Sequence, residues 1–422
     1  MDEHLPGSTP SAGASRRELT FRGNLKSTRH GWLRLTPAYS VRLVEKLLAG
    51  SGAEPPLLDP FCGTGTTLLS CAERGLDCDT ADINPFLIWL ARSKLGRYSK
   101  AQLGEAQSGL GRMTRAARSP RARSAWTPPM YRIERWWDTP TLATLGRAFE
   151  ALERRDGNAS RAAQNLLRVA FCQTLIERSS AHFRHQSLSF GKATNRPDIG
   201  EEASENAAIE RVAESLVQAL ERLSETAGLG LPATRRRVYL TDARRLHEQL
   251  PNAHYGAVIT SPPYANRMSY IRELRPYMYW LKYLGDRTGA GVLDWRAIGG
   301  TWGVATSKLS TWTPATSSTP LDPSIEKQLR SIAARSPLLA NYVRKYFHDM
   351  FAHLSSLARV LRPGASVYYV VGNSKFYDEL VPVERVLGAQ FEQAGFARVE
   401  IETLRKRSSK KELYEFLIRA RR

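Results

Sequence analysis

Long apolar stretches and cysteines are both scarce in this sequence. None of its hydrophobic runs is long enough to cross a bilayer, which argues against membrane-spanning helices and predicts no membrane partner. The segment 1–8 lacks a basic stretch followed by an apolar one, so we expect no secretory signal. The four cysteines are scattered without the spacing of metal ligands, which is typical of a reducing cytoplasm and predicts no bound metal.

Acidic residues are scarce relative to basic ones. The chain has 61 Lys and Arg against 41 Asp and Glu, which gives a formal net charge of +20. This excess favours a polyanionic partner, because basic side chains that neutralise phosphates release counterions. Hydrophobic residues make up 42% of the 422 residues, enough to fill the core of one large domain with insertions or of two domains.

The glycine turn within Pro56–Leu68 lacks the common nucleotide-binding signatures. Leu68 stands where a G-x-G-x-x-G motif requires its third glycine, and no Gly-Lys-Ser/Thr follows. The pattern nevertheless predicts a buried strand that ends at Asp59, a turn, and a helix. Gly63 and Gly65 allow the backbone to approach a ligand closely, and the helix start offers free N–H groups. Taken alone, the turn fits either a small-molecule site or an ordinary strand-to-helix connection.

Two more predicted strands end in acids. The segment 77–84 predicts a strand that ends near Asp82, roughly twenty positions beyond the glycine turn, where a carboxylate can accept hydrogen bonds from ribose hydroxyls. A helix cap is the alternative for this residue. The segment 237–242 predicts a later strand that ends in Asp242. Parallel strands would bring these acids to the edge where Asp59 lies, which indicates a ligand site there.

A further buried strand is predicted at 255–260, and the string Thr-Ser-Pro-Pro-Tyr ends at Tyr264. Together with Asp-Pro-Phe-Cys-Gly-Thr-Gly-Thr-Thr at 59–67, this string resembles the amino-group DNA methyltransferases, which use S-adenosylmethionine. The Ser-Pro-Pro-Tyr form is typical of the enzymes that make N4-methylcytosine. The resemblance covers roughly residues 20–100 and 235–422.

The resemblance implies an α/β fold: a Rossmann-like methyltransferase sheet with helices on both faces, plus a mainly helical insertion. It implies a catalytic string of Ser261, Pro262, Pro263 and Tyr264. It also implies that the cofactor is bound by Thr36, Pro37, Asp59, Pro60, Phe61, Gly63, Gly65, Thr66, Asp82, Ile83, Asp242 and Ala243.

The catalytic string suits transfer to an exocyclic amine, whose lone pair is delocalised into the ring. The Ser261 hydroxyl and the Pro262 carbonyl can accept from the two N–H bonds, and the two prolines stiffen their orientation. Tyr264 would stack on a base that has been flipped out of the duplex.

Several substrates remain open at this stage. The serine favours cytosine N4, whereas adenine N6, guanine N2 in RNA, and a catalytically inactive DNA-binding protein are the alternatives. The resemblance implies duplex DNA as a partner and leaves open a cognate restriction endonuclease. It further implies a prokaryotic, cytoplasmic protein that is associated with the nucleoid.

The chain divides into segments of different character. We expect a flexible tail at 1–18, a catalytic domain formed by 19–100 and 233–422, and a helical insertion at 101–232 as the candidate region for DNA recognition. Within the insertion, 140–190 and 200–228 have helical apolar patterns. The segment 286–337, rich in Gly, Ser, Thr and Pro, predicts a long loop within the catalytic domain.

Basic residues interleaved with aromatic ones occur at 101–137. They fit either a nucleic-acid surface or a solvated basic helix followed by core tryptophans. Candidate DNA contacts elsewhere are His30, Arg267, Arg272, Arg275 and Asn373. A structural hydrogen bond is the alternative for His30, and surface salt bridges are the alternative for the arginines.

Overall fold

The structure, a computed structural model, describes most of the chain. The described residues are 24, 28–33, 39–50, 52–119, 126–154, 159–182, 189–190, 201–314, 323–407 and 412–422. The predicted tail at 1–18 lies outside them. Across these ranges, no helix is both long and apolar enough to cross a bilayer.

A seven-stranded sheet, parallel except for one strand, forms the centre of the fold. In chain order its strands are β1 (Leu57–Asp59), β2 (Cys78–Asp82), β3 (Val238–Leu240), β4 (Tyr255–Thr260), β5 (Leu361–Gly372), β6 (Ala397–Lys406) and β7 (Tyr414–Arg421). Their spatial order is β6-β7-β5-β4-β1-β2-β3. Strand β7 runs antiparallel to both neighbours, and the other pairs are parallel.

Helices cover both faces of this sheet. Alternate residues of β4 enter two different apolar clusters: Ala257 and Ile259 pack with α1 (Val41–Gly50) and α2 (Thr66–Glu73), and Val258 packs with helices of the C-terminal part. Strands that are buried on both faces have continuous apolar runs, which is why β4 was recognisable in the sequence. The predicted α/β class with a Rossmann-like sheet is confirmed.

The remaining helices begin with α3. They are α3 (Pro85–Leu95), α4 (Lys100–Ala117), α5 (Thr139–Glu153), α6 (Arg161–Glu177), α7 (Glu201–Ala227), α8 (Tyr270–Trp280), α9 (Gly289–Arg296), α10 (Val304–Thr311), α11 (Pro323–Arg335), α12 (Pro337–Val360) and α13 (Val383–Gln393). Several have side-chain caps. Asn84 accepts from the Phe86 N–H before α3, and Ser99 and Gln102 form a capping box before α4.

The order of the strands reverses between β1 and β4. Strands β2 and β3 lie on one side of β1, and β4 and β5 lie on the other. At such a reversal, the crevice beyond the carboxyl ends of the strands is where open α/β sheets bind ligands. The topology therefore places a site beside Asp59 and Thr260, the last residues of β1 and β4.

Helices α4 to α7 share one apolar cluster with α3 and α8. Trp136 and Trp137 are each only 1% exposed within it, so these two indoles belong to the core. The expectation of helix throughout 140–190 was wrong beyond Glu177. There α6 ends, the Ser179 hydroxyl donates to the Ile176 carbonyl, and a two-stranded ribbon pairs Ala181–His182 with Ser189–Phe190.

The segment 286–337 is not a simple loop. It contains α9, α10 and α11 among its described residues. Ile325, Leu329 and Ile332 of α11 are fully buried, and their spacing of four and three residues places them on one helical face. The composition of the segment concealed this pattern, because its apolar residues are few and grouped in short helices.

Arg29 hydrogen-bonds to both the catalytic part and the helical segment of the chain. It is only 3% exposed. Its guanidinium donates to the carbonyls of Lys94 and Gly96 at the end of α3, and to those of Thr226, Ala227 and Leu229 at the end of α7. The last carbonyls of a helix have no partner within the helix and carry its negative dipole end, so a buried cation stabilises both ends at once.

Replacing Arg29 with lysine should lower the free energy of unfolding by about 2–3 kcal/mol, because an ammonium cannot reproduce the planar fork of donors. Urea denaturation would measure the loss. The exposed residue Arg359, at the end of α12, provides the control Arg359→Lys. Equal stabilities for the two variants would contradict the role assigned to Arg29.

Candidate active site at the carboxyl edge of the sheet

The glycine turn has the predicted backbone. Gly63 and Gly65 have φ values of 50° and 76°, a region that disfavours other residues, and Gly65 is the N-cap of α2. Below the turn, the buried Lys94 ammonium donates to the Thr64 carbonyl at 2.9 Å and to the His30 carbonyl at 3.2 Å. Burial lowers the pKa of Lys94 to about 8. This support for the turn was not predicted, since a lysine in a helix ordinarily indicates a solvated position.

Asp59 is fully buried at the end of β1. One carboxylate oxygen, Oδ1, accepts from the Phe61 N–H at 3.1 Å and from the Thr260 hydroxyl at 2.6 Å. The other, Oδ2, has no donor among the described residues. Burial raises the pKa of this carboxyl to about 7, against the opposing effect of hydrogen bonding. A buried oxygen without a donor is costly, so the site suits a ligand that donates to it.

The buried carboxyl of Asp59 should make stability depend on pH. Its pKa is about 7 in the folded protein against 3.8 for the free side chain, so the unfolded chain binds fewer protons between these values. Stability should therefore fall as pH rises through this window, by up to about 4 kcal/mol relative to Asp59→Asn. Urea denaturation of both proteins between pH 4 and 8 would measure the difference.

The control for this experiment is Asp242→Asn. Because the Asp242 pKa is lowered below its free value of 3.8 in the fold, its contribution should have the opposite sign: as pH rises, the wild type should gain on this variant only near and below that value, and the difference should stay constant over the rest of the range. A constant difference between wild type and Asp59→Asn across the range would show that Asp59 is ionised in both states.

Asp82 links β2 to the glycine turn. Its Oδ2 accepts from the Gly63 N–H at 3.0 Å, and its Oδ1 accepts from the Asn84 N–H at 2.9 Å. Burial raises the pKa of Asp82 to about 6. The helix cap that was the alternative for Asp82 is supplied by the Asn84 side chain. Ile83 lies between them and packs on the large apolar cluster.

The carboxylate of Asp242 is already engaged by a basic side chain. It forms an ion pair with Arg244 at 2.6 Å, and Arg244 also donates to Asp349 at 2.7 Å. Burial acts to raise the pKa of Asp242, but the hydrogen bonds and charge of Arg244 outweigh it and lower the pKa. The sequence did not predict this arrangement, because Asp349 lies 105 residues after Arg244.

A wall of the crevice forms beside Asp242. The Ala243 carbonyl is 2.9 Å from Nδ1 of the buried His353, and the Phe61 ring meets the His353 ring edge-on at 4.7 Å. Burial lowers the pKa of His353 to about 4, so the imidazole is neutral near pH 7. Pro60 is buried behind Phe61.

Thr66 begins α2 and hydrogen-bonds the Thr64 hydroxyl at 2.9 Å. Thr36 and Pro37 lie outside the described residues. Tyr39, which follows them, contacts the Thr67 hydroxyl with its own.

Ser261 follows β4 and donates its hydroxyl to the Val370 carbonyl of β5 at 3.0 Å. Its only hydroxyl proton is therefore used inside the protein, and the oxygen keeps lone pairs that can accept from another group. The Pro262 carbonyl has no donor within the described part of the chain. These are the two acceptors that the sequence predicted.

Three tyrosine hydroxyls fix the backbone of the catalytic string and of the segment that follows it. Tyr346 donates to the Pro263 carbonyl at 2.9 Å, Tyr270 accepts from the Tyr264 N–H at 3.2 Å, and Tyr342 accepts from the Arg267 N–H at 3.1 Å. Sequence reasoning missed all three. The i, i+4 spacing of the two α12 tyrosines indicated a shared face, but nothing local to α12 indicated that this face meets the string.

The Tyr264 ring lies against Gly372 and Arg407. A Cβ atom at Gly372 would be 2.9 Å from the ring, so only glycine fits there. The Arg407 guanidinium lies 5.6 Å from the ring centroid and donates to the Asn373 carbonyl at 3.1 Å. Burial raises the pKa of Tyr264, which keeps the phenol neutral.

Two of the residues proposed to contact DNA have buried side chains. Asn373 is 3% exposed, donates to the Glu412 carbonyl at 3.0 Å and accepts from the Tyr414 N–H at 2.9 Å. His30 is 6% exposed and lies 3.3 Å from the Glu73 carboxylate. Both side chains are committed to internal hydrogen bonds, so their geometry does not support a contact with DNA.

The three arginines after the catalytic string are more exposed than Asn373 and His30. Arg267 is exposed, and Arg272 and Arg275 are half-buried on α8. None of them forms an ion pair with an acid of the described ranges, so the salt bridges given as the alternative are not present there.

Known proteins resemble this chain over most of its length, although no family model matches it. Type II methyltransferase M.BsoBI of Geobacillus stearothermophilus is 24% identical, over 93% of this chain and 83% of the relative. Type II methyltransferase M.AvaI of Nostoc sp. is 22% identical, over 90% and 82%. The chain is similar to type II methyltransferases.

A shorter match supports the same similarity. Type II methyltransferase M.MjaII of Methanocaldococcus jannaschii is 43% identical over 47 residues, which are 11% of this chain and 9% of the relative. At these identities, the similarity to type II methyltransferases supports the family that the two motifs predicted and methyl transfer as the general activity.

Proposed function

We propose that this protein transfers a methyl group from S-adenosylmethionine to the exocyclic N4 amine of a flipped-out cytosine in duplex DNA. The observation that carries the proposal is the state of Ser261. Its hydroxyl proton is held by Val370, so its oxygen acts as an acceptor at the edge of the sheet where the glycine turn also lies. Type II methyltransferases use S-adenosylmethionine as methyl donor and act on DNA.

The residues around the glycine turn fit this cofactor. The oxygen of Asp59 that lacks a donor suits an ammonium group such as that of the methionine part. Asp82 suits the ribose hydroxyls. Its carboxylate accepts from the N–H groups of Gly63 and Asn84, and it has further lone pairs that can accept from hydroxyls. Phe61 and Ala243 suit the flat adenine, with Asp242 beside them. When bound, the cofactor supplies an electrophilic methyl group on a sulfonium.

The chain's own residues position the nucleophile. Ser261 and Pro262 accept from the two N–H bonds of the amine, which weakens the delocalisation of its lone pair into the ring and leaves the nitrogen more nucleophilic. Tyr264 stacks on the base and offsets the stacking lost when the base leaves the duplex. Holding the nitrogen in line with the methyl group supplies most of the rate enhancement, as positioning does in general. The three tyrosines of the site make this geometry rigid.

The other predictions from the sequence become part of this proposal. We assign DNA recognition to the helical segment 101–232 together with 286–337, and contacts with the flipped base or its phosphates to Arg267, Arg272 and Arg275. A type II methyltransferase acts in restriction–modification, so a cognate endonuclease is proposed as its functional partner. The proposed site of action is the nucleoid in the cytoplasm of a prokaryotic cell.

The test is to incubate the protein with methyl-labelled S-adenosylmethionine and mixed-sequence duplex DNA, digest the DNA to nucleosides, and identify the labelled one. N4-methylcytosine is expected. N6-methyladenine would keep the enzyme class and overturn the base, and label in RNA alone would overturn the substrate. Bound cofactor with no label in either nucleic acid would favour an inactive DNA-binding protein.

A further inference from the structure

A cluster of arginines and aromatic rings lies where the helical segment meets α8. The Arg275 guanidinium stands between two indoles, 5.1 Å from the Trp136 centroid and 5.5 Å from the Trp302 centroid. Trp136 in turn meets the Phe190 ring edge-on at 5.1 Å, and Arg135 stacks on Phe190 at 4.7 Å. The rings of this cluster therefore hold two arginines from different parts of the chain.

These cations lack an ion-paired acid among the described residues. Arg135, Arg272 and Arg275 form no ion pair with an acid of the described residues, although the chain has 41 acids. Within the described ranges, Arg275 donates to one group, the Arg272 carbonyl, at 3.0 Å. A guanidinium has five N–H donors, so most of those on Arg275 are unused.

The cations also act on one another. Burial, followed by the charges of Arg272 and Arg135, lowers the pKa of Arg275 to about 10, and Glu273 acts in the opposite sense. Like charges that act on one another are unfavourable, and an anion bound among them would offset the repulsion. Repulsion among its arginines therefore destabilises the cluster, and a bound anion would reduce that repulsion.

The position of the cluster is fixed from within the protein. Asp294, 1% exposed, accepts from the Trp302 N–H at 2.7 Å and from the hydroxyl of Ser269, the N-cap of α8. Because α8 begins six residues after Tyr264, the same contacts set the distance from the cluster to the catalytic string.

We propose that Arg135, Arg272 and Arg275 form a binding site for the phosphodiester backbone of the DNA substrate, shared by the helical segment and the catalytic part. The proposal rests on the function proposed above for its choice of DNA. Guanidinium groups match phosphate oxygens in pairs, and stacking on indoles leaves their N–H edges free to do so. An acidic peptide would need side chains to reach the cluster, whereas a duplex presents phosphates at regular intervals.

Arg135→Gln combined with Arg272→Gln tests the site without removing the buried Arg275. Binding of a fluorescein-labelled duplex should be measured by anisotropy over a series of salt concentrations. Because the variant can no longer neutralise two of the phosphates, its affinity near 0.1 M salt should fall about 10- to 100-fold. For the same reason, the slope of log K against log salt should become shallower by about 2.

Three controls make the outcome specific. Arg359→Gln removes a charge at the opposite, amino edge of the sheet and should leave the slope unchanged. The double lysine variant keeps the charge and should keep the slope. Cofactor affinity, measured by calorimetry, should be the same in all variants.

An unchanged slope in the double glutamine variant would overturn the site, even if the wild type labels DNA. A reduced slope in a protein that labels no DNA would retain the site and count against the proposed function.

Discussion

Replacing Ser261 with alanine should lower kcat by about a hundredfold or more while leaving the affinity for S-adenosylmethionine within about twofold. The hydroxyl oxygen is an acceptor because its proton is donated to Val370, so alanine removes one of the two groups that would hold the amine. The hydrogen bonds of the cofactor residues Asp59 and Asp82 do not involve Ser261. The substitution should therefore lower the rate of methyl transfer without changing the affinity for the cofactor.

Ser261→Thr keeps the hydroxyl and should keep a measurable part of the activity. Single-turnover kinetics with labelled cofactor would give the rate, and calorimetry would give the cofactor affinity. A variant whose rate is unchanged would show that Ser261 does not hold the amine. A parallel loss of cofactor affinity would show that the substitution disturbed the crevice as a whole.

The features that the sequence predicted correctly are local. A short apolar run, an acid and two glycines at fixed spacing dictate the strand, turn and helix around Asp59, because each residue acts on its immediate neighbours. The same holds for β4, whose continuous apolar run reflects burial on both faces. The edge at which these strands end then follows from the parallel arrangement.

The features that the sequence did not predict depend on distant contacts. Asp242 is paired because Asp349 lies across the crevice and holds Arg244. The catalytic string and the residues after it are held because α12 brings Tyr346 to Pro263 and Tyr342 to Arg267. Asn373 and His30 were polar residues near motifs, and only their burial showed that they serve the fold. No spacing rule relates residues that are a hundred positions apart.

The helical segment is more closely joined to the catalytic part than a simple insertion would be. Its core is continuous with that of α3 and α8, and Arg29 joins its last helix to the end of α3. Any strain placed on these helices by a bound duplex would reach α8, the helix that follows the catalytic string.

Trp280→Ala should lower the free energy of unfolding by about 3–5 kcal/mol, because truncating a buried tryptophan leaves a large cavity. Trp280 ends α8 and is fully buried. Four rings of the helical segment surround it at centroid distances of 5.4–5.8 Å: Trp126, Trp137, Phe149 and Phe171. Urea denaturation would measure the change, and Tyr131→Ala, at a ring that is 62% exposed, should cost less than about 0.5 kcal/mol.

Trp280→Phe distinguishes the contribution of packing from that of polarity. The indole Nε1 is buried and has no acceptor in the described part of the structure, so phenylalanine removes an unsatisfied donor along with part of the ring. The gain from removing that donor, about 1–3 kcal/mol, should offset much of the reduced packing. We therefore expect Trp280→Phe to be close to the wild type in stability and Trp280→Ala to be far below it. If alanine cost less than about 1 kcal/mol, the helical segment and α8 would not share a cooperative core, and α8 would have to be held in place by its other contacts, such as those of Ser269 with Asp294 and of Tyr277 with Phe86.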